Sequence, residues 1–153
     1  MTNANDATFY VNRSKLLVRR TYNAPAERVF KAWVDPEDMR KWYTPKGHWN
    51  VDVRSMDLRI GGGYQVFFGP EGETPYVEAG GYEEITPPYR LVFLAELSRD
   101  GGLIGVTRCD ISFFDLGDQT EVTMIETGGD PAHAEERAEG WSGTMDNLYK
   151  IID

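Results

Sequence analysis

With 153 residues, 41% of them hydrophobic and 27% charged, the chain has the length and composition of one soluble globular domain that closes its core without a metal or a disulfide. A formal net charge of −9 and a pI of about 4.7 oppose binding to nucleic acid or to an anionic membrane. No apolar run approaches the ~20 residues that span a bilayer, the start MTNANDATFY lacks the basic-then-apolar pattern of a secretory signal, and Cys109 is the one cysteine; the chain therefore reads as cytoplasmic, without a disulfide framework or a cysteine metal cluster.

Residues 1–13 are polar and read as a loosely held segment, which leaves one domain over residues 14–153. The sequon NRS at Asn12 carries no expectation of glycosylation in a cytoplasmic chain. Lys15–Tyr22 (KLLVRRTY) reads as a strand. The segment PAERVFKAW then places Pro25 where a missing N–H costs nothing, with Val29, Phe30 and Trp33 at helical spacing. A second short helix opens at DPEDMRKWY, where Asp35 caps, Pro36 takes the first turn and Asp38 favours the helix dipole. Six segments rich in aromatic and β-branched residues follow: His48–Asp57, Tyr64–Phe68, Tyr76–Ile85, Arg90–Leu97, Ile104–Phe114 and Glu121–Thr127. Turn chemistry at Gly61, Pro70, Thr86, Arg99 and Leu116 separates them. Links this short require antiparallel pairing. The order predicts an α+β fold with a meander-like sheet of about seven strands and two short helices after the first.

Alternating apolar positions such as Leu91, Phe93 and Ala95, or Val122 and Met124, bury one face of that sheet, and the closing helix is its cover. Asp130 caps this helix, Pro131 takes its first position, and Glu135 and Glu136 lie at the positive end of the dipole. Ala134, Ala138, Trp141, Met145, Leu148 and Ile152 fall on one stripe. Gly140 and Gly143 flank Trp141, although a helical glycine costs about 1 kcal/mol relative to alanine. Gly140 reads as room for a close approach. Gly143 reads as a softening of the helix, and a helix weakened by both glycines can bend or shift to admit a guest. The alternative is that Trp141 fills the core and the glycines only make room.

The segments RTYNAPAERVFKAWVDPEDMRKWYTP, DLRIGGGYQV, GGYEEITPPYRLVF, TEVTMIETGG and EGWSGTMDNL occur in this order. Together they resemble the family related to the C-terminal domain of the heat shock protein 90 ATPase activator, within the START-like, Bet v 1-like (SRPBCC) superfamily, over about Leu16 to Ile152. The resemblance implies a helix-grip fold, in which a curved antiparallel sheet wraps a long C-terminal helix and leaves a deep cavity. It also implies two alternatives to ligand binding. One is a chaperone-regulating module, here a stand-alone copy because 153 residues leave no room for the additional N-terminal domain of a two-domain activator. The other is an enzyme akin to polyketide cyclases and aromatases.

The residues themselves yield no catalytic set, no metal ligands and no cofactor motif. His48 and His133 stand at opposite ends of the chain. GWSGT falls one residue short of a nucleophile elbow and lies in a helix. IGGGY is followed by no helix that would cradle phosphate, and Cys109 reads as a buried, inert thiol. The chain instead carries four Trp, eight Tyr and seven Phe. Trp42, Trp49, Tyr64, Phe67, Tyr76, Tyr82, Phe93, Trp141 and Met145 are the residues expected around the cavity, where tyrosine hydroxyls supply the polar groups of an otherwise apolar pocket. Glu78, Glu84, Arg108 and Asp110 lie in strands, and outward-facing ion pairs are the simplest reading of them. The expected partner is a hydrophobic or aromatic small molecule, with a chaperone as the alternative; monomer and homodimer both remain open.

Overall fold

The computed structural model describes residues 9–12 and 15–153. Eight strands, β1 (Tyr10–Asn12), β2 (Lys15–Tyr22), β3 (Asn50–Met56), β4 (Gly63–Gly69), β5 (Tyr76–Thr86), β6 (Arg90–Arg99), β7 (Gly102–Asp115) and β8 (Thr120–Thr127), form one antiparallel sheet. Its order is β1-β2-β8-β7-β6-β5-β4-β3. Strands β3 to β8 are a meander, and β2 closes on β8 from Lys15↔Thr127 to Tyr22↔Thr120. The strand beyond the seven expected is β1, which pairs with β2 at Tyr10↔Leu17. Three residues are too few for an alternation to show in the sequence. The remainder of the segment expected to be loosely held, residues 1–8 and 13, lies outside the described residues.

Helices α1 (Ala26–Val34) and α2 (Pro36–Trp42) leave the sheet between β2 and β3. Val29, Phe30 and Trp33 are buried, as their spacing requires. Asp35 caps α2, its carboxylate accepting from the backbone N–H groups of Glu37 at 2.8 Å and Asp38 at 3.3 Å.

The closing segment is not one uniform helix. A 3-10 turn at Pro131–His133, capped by Asp130, leads into α3 (Ala134–Asn147), and a second 3-10 turn at Leu148–Lys150 ends it. Of the apolar stripe, Ala134, Ala138, Met145, Leu148 and Ile152 are buried and Trp141 is half-buried. Polar contacts hold α3 on β2. The Tyr22 hydroxyl donates to the Met145 carbonyl at 2.6 Å, and Arg20 donates to Ser142 Oγ at 2.6 Å and to Asp146 at 2.7 Å. Asn147 Nδ2 donates to the Thr44 carbonyl at 2.6 Å, and Lys150 Nζ to that of Gly47 at 2.8 Å. The loop after α2 is thereby tied to the end of the helix.

The two glycines exchange the roles expected of them. A Cβ at Gly143 would overlap the Pro45 carbonyl oxygen, whereas one at Gly140 would meet only Pro45 Cβ at an ordinary 3.8 Å. Gly143 is thus the point where backbone crosses backbone, and it seats the helix rather than softening it. Gly143→Ala is expected to destabilise the fold by about 1–3 kcal/mol, because the obstacle is backbone that cannot rotate away. Gly140→Ala should stabilise by up to ~1 kcal/mol through helix propensity. Thermal denaturation of the two variants, moving in opposite directions, checks the assignment.

Candidate functional site

Along the inner face of the sheet, burial falls off toward one end. Tyr82 on β5, Leu91 and Phe93 on β6, and Cys109, Ile111 and Phe113 on β7 are buried. Further along the same face, Tyr76 and Glu78 on β5, Leu97 on β6, and Gly105 and Thr107 on β7 are only half-buried. Helix α3 lies over β1 and β2 and against α2, so it leaves this end of β5–β7 uncovered. Trp49 stands at the rim, its indole stacked on Tyr76 at 5.9 Å between ring centroids. Tyr76 also stacks on Phe68 at 5.7 Å and receives the Arg99 guanidinium over its ring at 4.5 Å.

Two carboxylates face inward on this surface. Glu78 Oε2 accepts from the Tyr43 hydroxyl at 2.6 Å and from the Tyr64 hydroxyl. Tyr64 reaches it because Gly80 has no side chain; a Cβ there would overlap the tyrosine ring. Burial holds the Glu78 carboxyl above the ordinary glutamate range, the two O–H donors offset part of that rise, and the charge of Glu126 adds to it. Burial first and the Glu78 charge second push both tyrosine phenols well above their usual value, so both retain their protons. The second carboxylate, Glu126 on β8, is 3% exposed. It accepts from Arg137 Nε at 2.6 Å and from Trp141 Nε1 at 2.9 Å, both on α3. Cys109 lies buried within reach of both charges, and burial chiefly, then Glu126 and Glu78, pushes its thiol up. It is an unreactive thiol, as read from the sequence.

The family model described as Activator of Hsp90 ATPase homolog 1-like protein matches residues 23–153. The chain belongs to this family. This member of the activator-homolog family shares its helix-grip architecture with solved structures. It is similar to a crystal structure of a Chromobacterium violaceum protein at 26% identity and a TM-score of 0.79, covering 91% of this chain and 96% of that one. A Rhizobium loti protein is also 26% identical, with a TM-score of 0.73 over 88% of this chain and 94% of that one. A Staphylococcus epidermidis protein solved in solution has the same fold at 19% identity, with a TM-score of 0.80 over 95% and 93% of the two chains. No match is found among curated proteins.

In this family member eight of the nine residues expected around the cavity fall into four groups, and Phe67 stands apart. Tyr64, Tyr82 and Phe93 pack together on the inner face, with Tyr64–Tyr82 centroids 5.7 Å and Tyr64–Phe93 centroids 5.5 Å apart. Trp141 forms a side wall, stacked on Trp33 at 6.1 Å and edge-on to Tyr43 at 6.0 Å. Trp49 and Tyr76 form the rim. Trp42 and Met145 are fully buried, and the Trp42 indole N–H is spent on the Ala32 carbonyl at 2.9 Å. Phe67 is not with the others. It lies on the opposite face of β4 from Tyr64, Val66 and Phe68, under the Arg54 guanidinium at 4.0 Å. Of the polar candidates, Glu78 turns inward against the simplest reading. Glu84, Arg108 and Asp110 do form outward ion pairs: Arg90–Asp110 at 2.6 Å, Arg90–Glu84 at 3.3 Å and Arg108–Glu83 at 3.6 Å.

Glu126, Arg137, Tyr43 and Trp33 were not anticipated. A signal for Glu126 was present, since it continues the inward alternation of Val122 and Met124. The raised Glu78 carboxyl carries a pH signature. The folded protein holds that proton more tightly than the unfolded chain does, so Glu78 favours folding below the usual glutamate pKa and loses that contribution as pH rises through its raised value. Glu78→Gln abolishes the dependence. The melting temperature of the variant relative to the native protein is expected to climb between pH 4 and pH 7, and a pH-independent difference would contradict this assignment.

Proposed function

We propose that this protein binds a small apolar or aromatic molecule in the space between the sheet and α3. The observation that carries the reading is the loss of burial along the inner face, where Tyr76, Glu78, Leu97 and Thr107 point inward yet keep contact with solvent. Side chains at such positions are ordinarily sealed by the covering helix. Here aromatic and aliphatic groups surround a few convergent polar ones, which is the usual composition of a ligand pocket. The family membership and the shared helix-grip fold support the same reading.

A thermal-shift panel of fatty acids, sterols, flavonoids, polyketides and aromatic acids tests it. A ligand at a hundredfold excess over its Kd contributes about 2.7 kcal/mol, and each kcal/mol moves the midpoint of a domain this size by about 2–4 °C. A true ligand is expected to raise the midpoint by several degrees. Leu97→Trp, which enlarges a half-buried side chain at that end, is expected to abolish the shift in a protein with unchanged far-ultraviolet circular dichroism. A flat response across the panel would overturn the reading.

One observation favours a second reading, that of a chaperone-regulating module. Leu94, Leu103, Ile104 and Val106 are exposed along the β6–β7 hairpin, and a grouping of exposed apolar side chains suits a protein contact. Under that reading the chain changes the ATPase rate of a purified heat shock protein 90, and Ile104→Asp removes the effect. An unchanged rate would exclude it.

A further inference from the structure

Among the described residues, charges facing the inner side of the sheet are paired with one exception. Arg20 meets Asp146 at 2.7 Å, Arg137 meets Glu126 at 2.6 Å, and Arg99 meets Glu73 at 3.6 Å. Among the described residues no Lys, Arg or His approaches Glu78 within ion-pairing distance. Its Oε2 is saturated by the two tyrosine hydroxyls, while Oε1 accepts no hydrogen bond from the described residues. A half-buried carboxylate without a counter-charge is costly, and the cost falls when a cation is brought to it.

A second group nearby is also incomplete. Tyr82 occupies the same inner face of β5, is 4% exposed, and has a hydroxyl with no hydrogen-bond partner among the described residues. Its ring packs on Tyr64, whose hydroxyl is held by Glu78. The charge of Glu78 reaches the Tyr82 phenol, which burial first and that charge second push upward. A buried hydroxyl without a partner forfeits the hydrogen bonds it made to water.

We infer that the ligand held between the sheet and α3 presents a protonated amine, which donates one N–H to Glu78 Oε1 and places another toward the Tyr82 hydroxyl. This rests on the binding reading above and names the chemistry of the group that is bound. The ammonium supplies the positive charge that Glu78 lacks and a donor for the lone pair of Tyr82. An anionic ligand would instead meet two inward carboxylates, Glu78 and Glu126, of which only the second is neutralised.

Isothermal titration of the full chain at pH 7 with three probes of one shape tests this: 1-naphthylmethylamine, 1-naphthalenemethanol and 1-naphthoate. The amine is expected to bind at least ~10-fold tighter than the alcohol, the scale of one charge-assisted hydrogen bond, and the carboxylate weakest of all. Glu78→Gln keeps one acceptor oxygen for both tyrosines, removes the charge and puts an amide NH2 donor in the place of Oε1. It is expected to erase the preference for the amine over the alcohol. Tyr82→Phe, which removes a single hydroxyl, should weaken the amine alone. Equal binding of amine and alcohol by the native protein, or a preference that survives in Glu78→Gln, overturns this inference and leaves the binding reading standing. Absence of binding by all three probes, together with a flat thermal-shift panel, overturns both.

Discussion

On β8 a carboxylate points into the core, and α3 closes over it with two donors. The Glu126 charge can be buried only because Arg137 and Trp141 meet it, and removing either partner would leave a charge or an acceptor stranded in a low-dielectric interior. That requirement fixes where the helix lies. With Arg137 and Trp141 drawn to β8, and with Ser142, Met145 and Asp146 drawn to β2, α3 cannot also cover the far ends of β5, β6 and β7. The open end of the inner face follows from the anchoring of the helix.

The same bond orients Trp141. Its N–H is committed to Glu126, so the ring plane is set and stacks on Trp33. The indole on the helix face is therefore a fixed wall. Gly143 allows the helix backbone to cross Pro45, which brings the loop after α2 close enough for Thr44 and Gly47 to accept from Asn147 and Lys150. Tyr43, immediately before that loop, is held where its hydroxyl meets Glu78. The helix seat and the polar site are thus connected through three residues of chain.

The architecture was legible in the sequence because it is written in periodicity. The stripe from Ala134 to Ile152 and the alternation along β6 and β8 each report a buried face, and short turns between strands leave antiparallel order as the one choice. The site was less legible, for reasons specific to its residues. Val66, Phe67 and Phe68 form a continuous apolar run, so strand parity is lost there and Phe67 falls on the wrong face. Glu78 stood among the candidates, but nothing local shows that Gly80, two positions on, admits the Tyr64 ring that holds it. Glu126 obeyed the alternation and was hidden by its charge. Tyr43 and Trp33 lie at the ends of short helices, and their approach to Trp141 depends on helix packing that no local pattern encodes. The family resemblance supplied the sheet and its closing helix, and structures 19% to 26% identical share the fold, so architecture of this kind tolerates wide change in sequence.

The gradient of burial along β5 and β6 divides the inner face into two regimes of mutational tolerance. At Tyr82, Leu91 and Phe93 a truncation opens a void in packed protein, which typically costs several kcal/mol. At Tyr76, Glu78 and Leu97 solvent already touches the side chain, so an exchange there opens less of the interior. On the binding reading proposed above, a lineage built on this frame can revise its recognition chemistry at one end of two strands while the other end keeps the domain folded, and a laboratory selecting for new binding would randomise those same positions first.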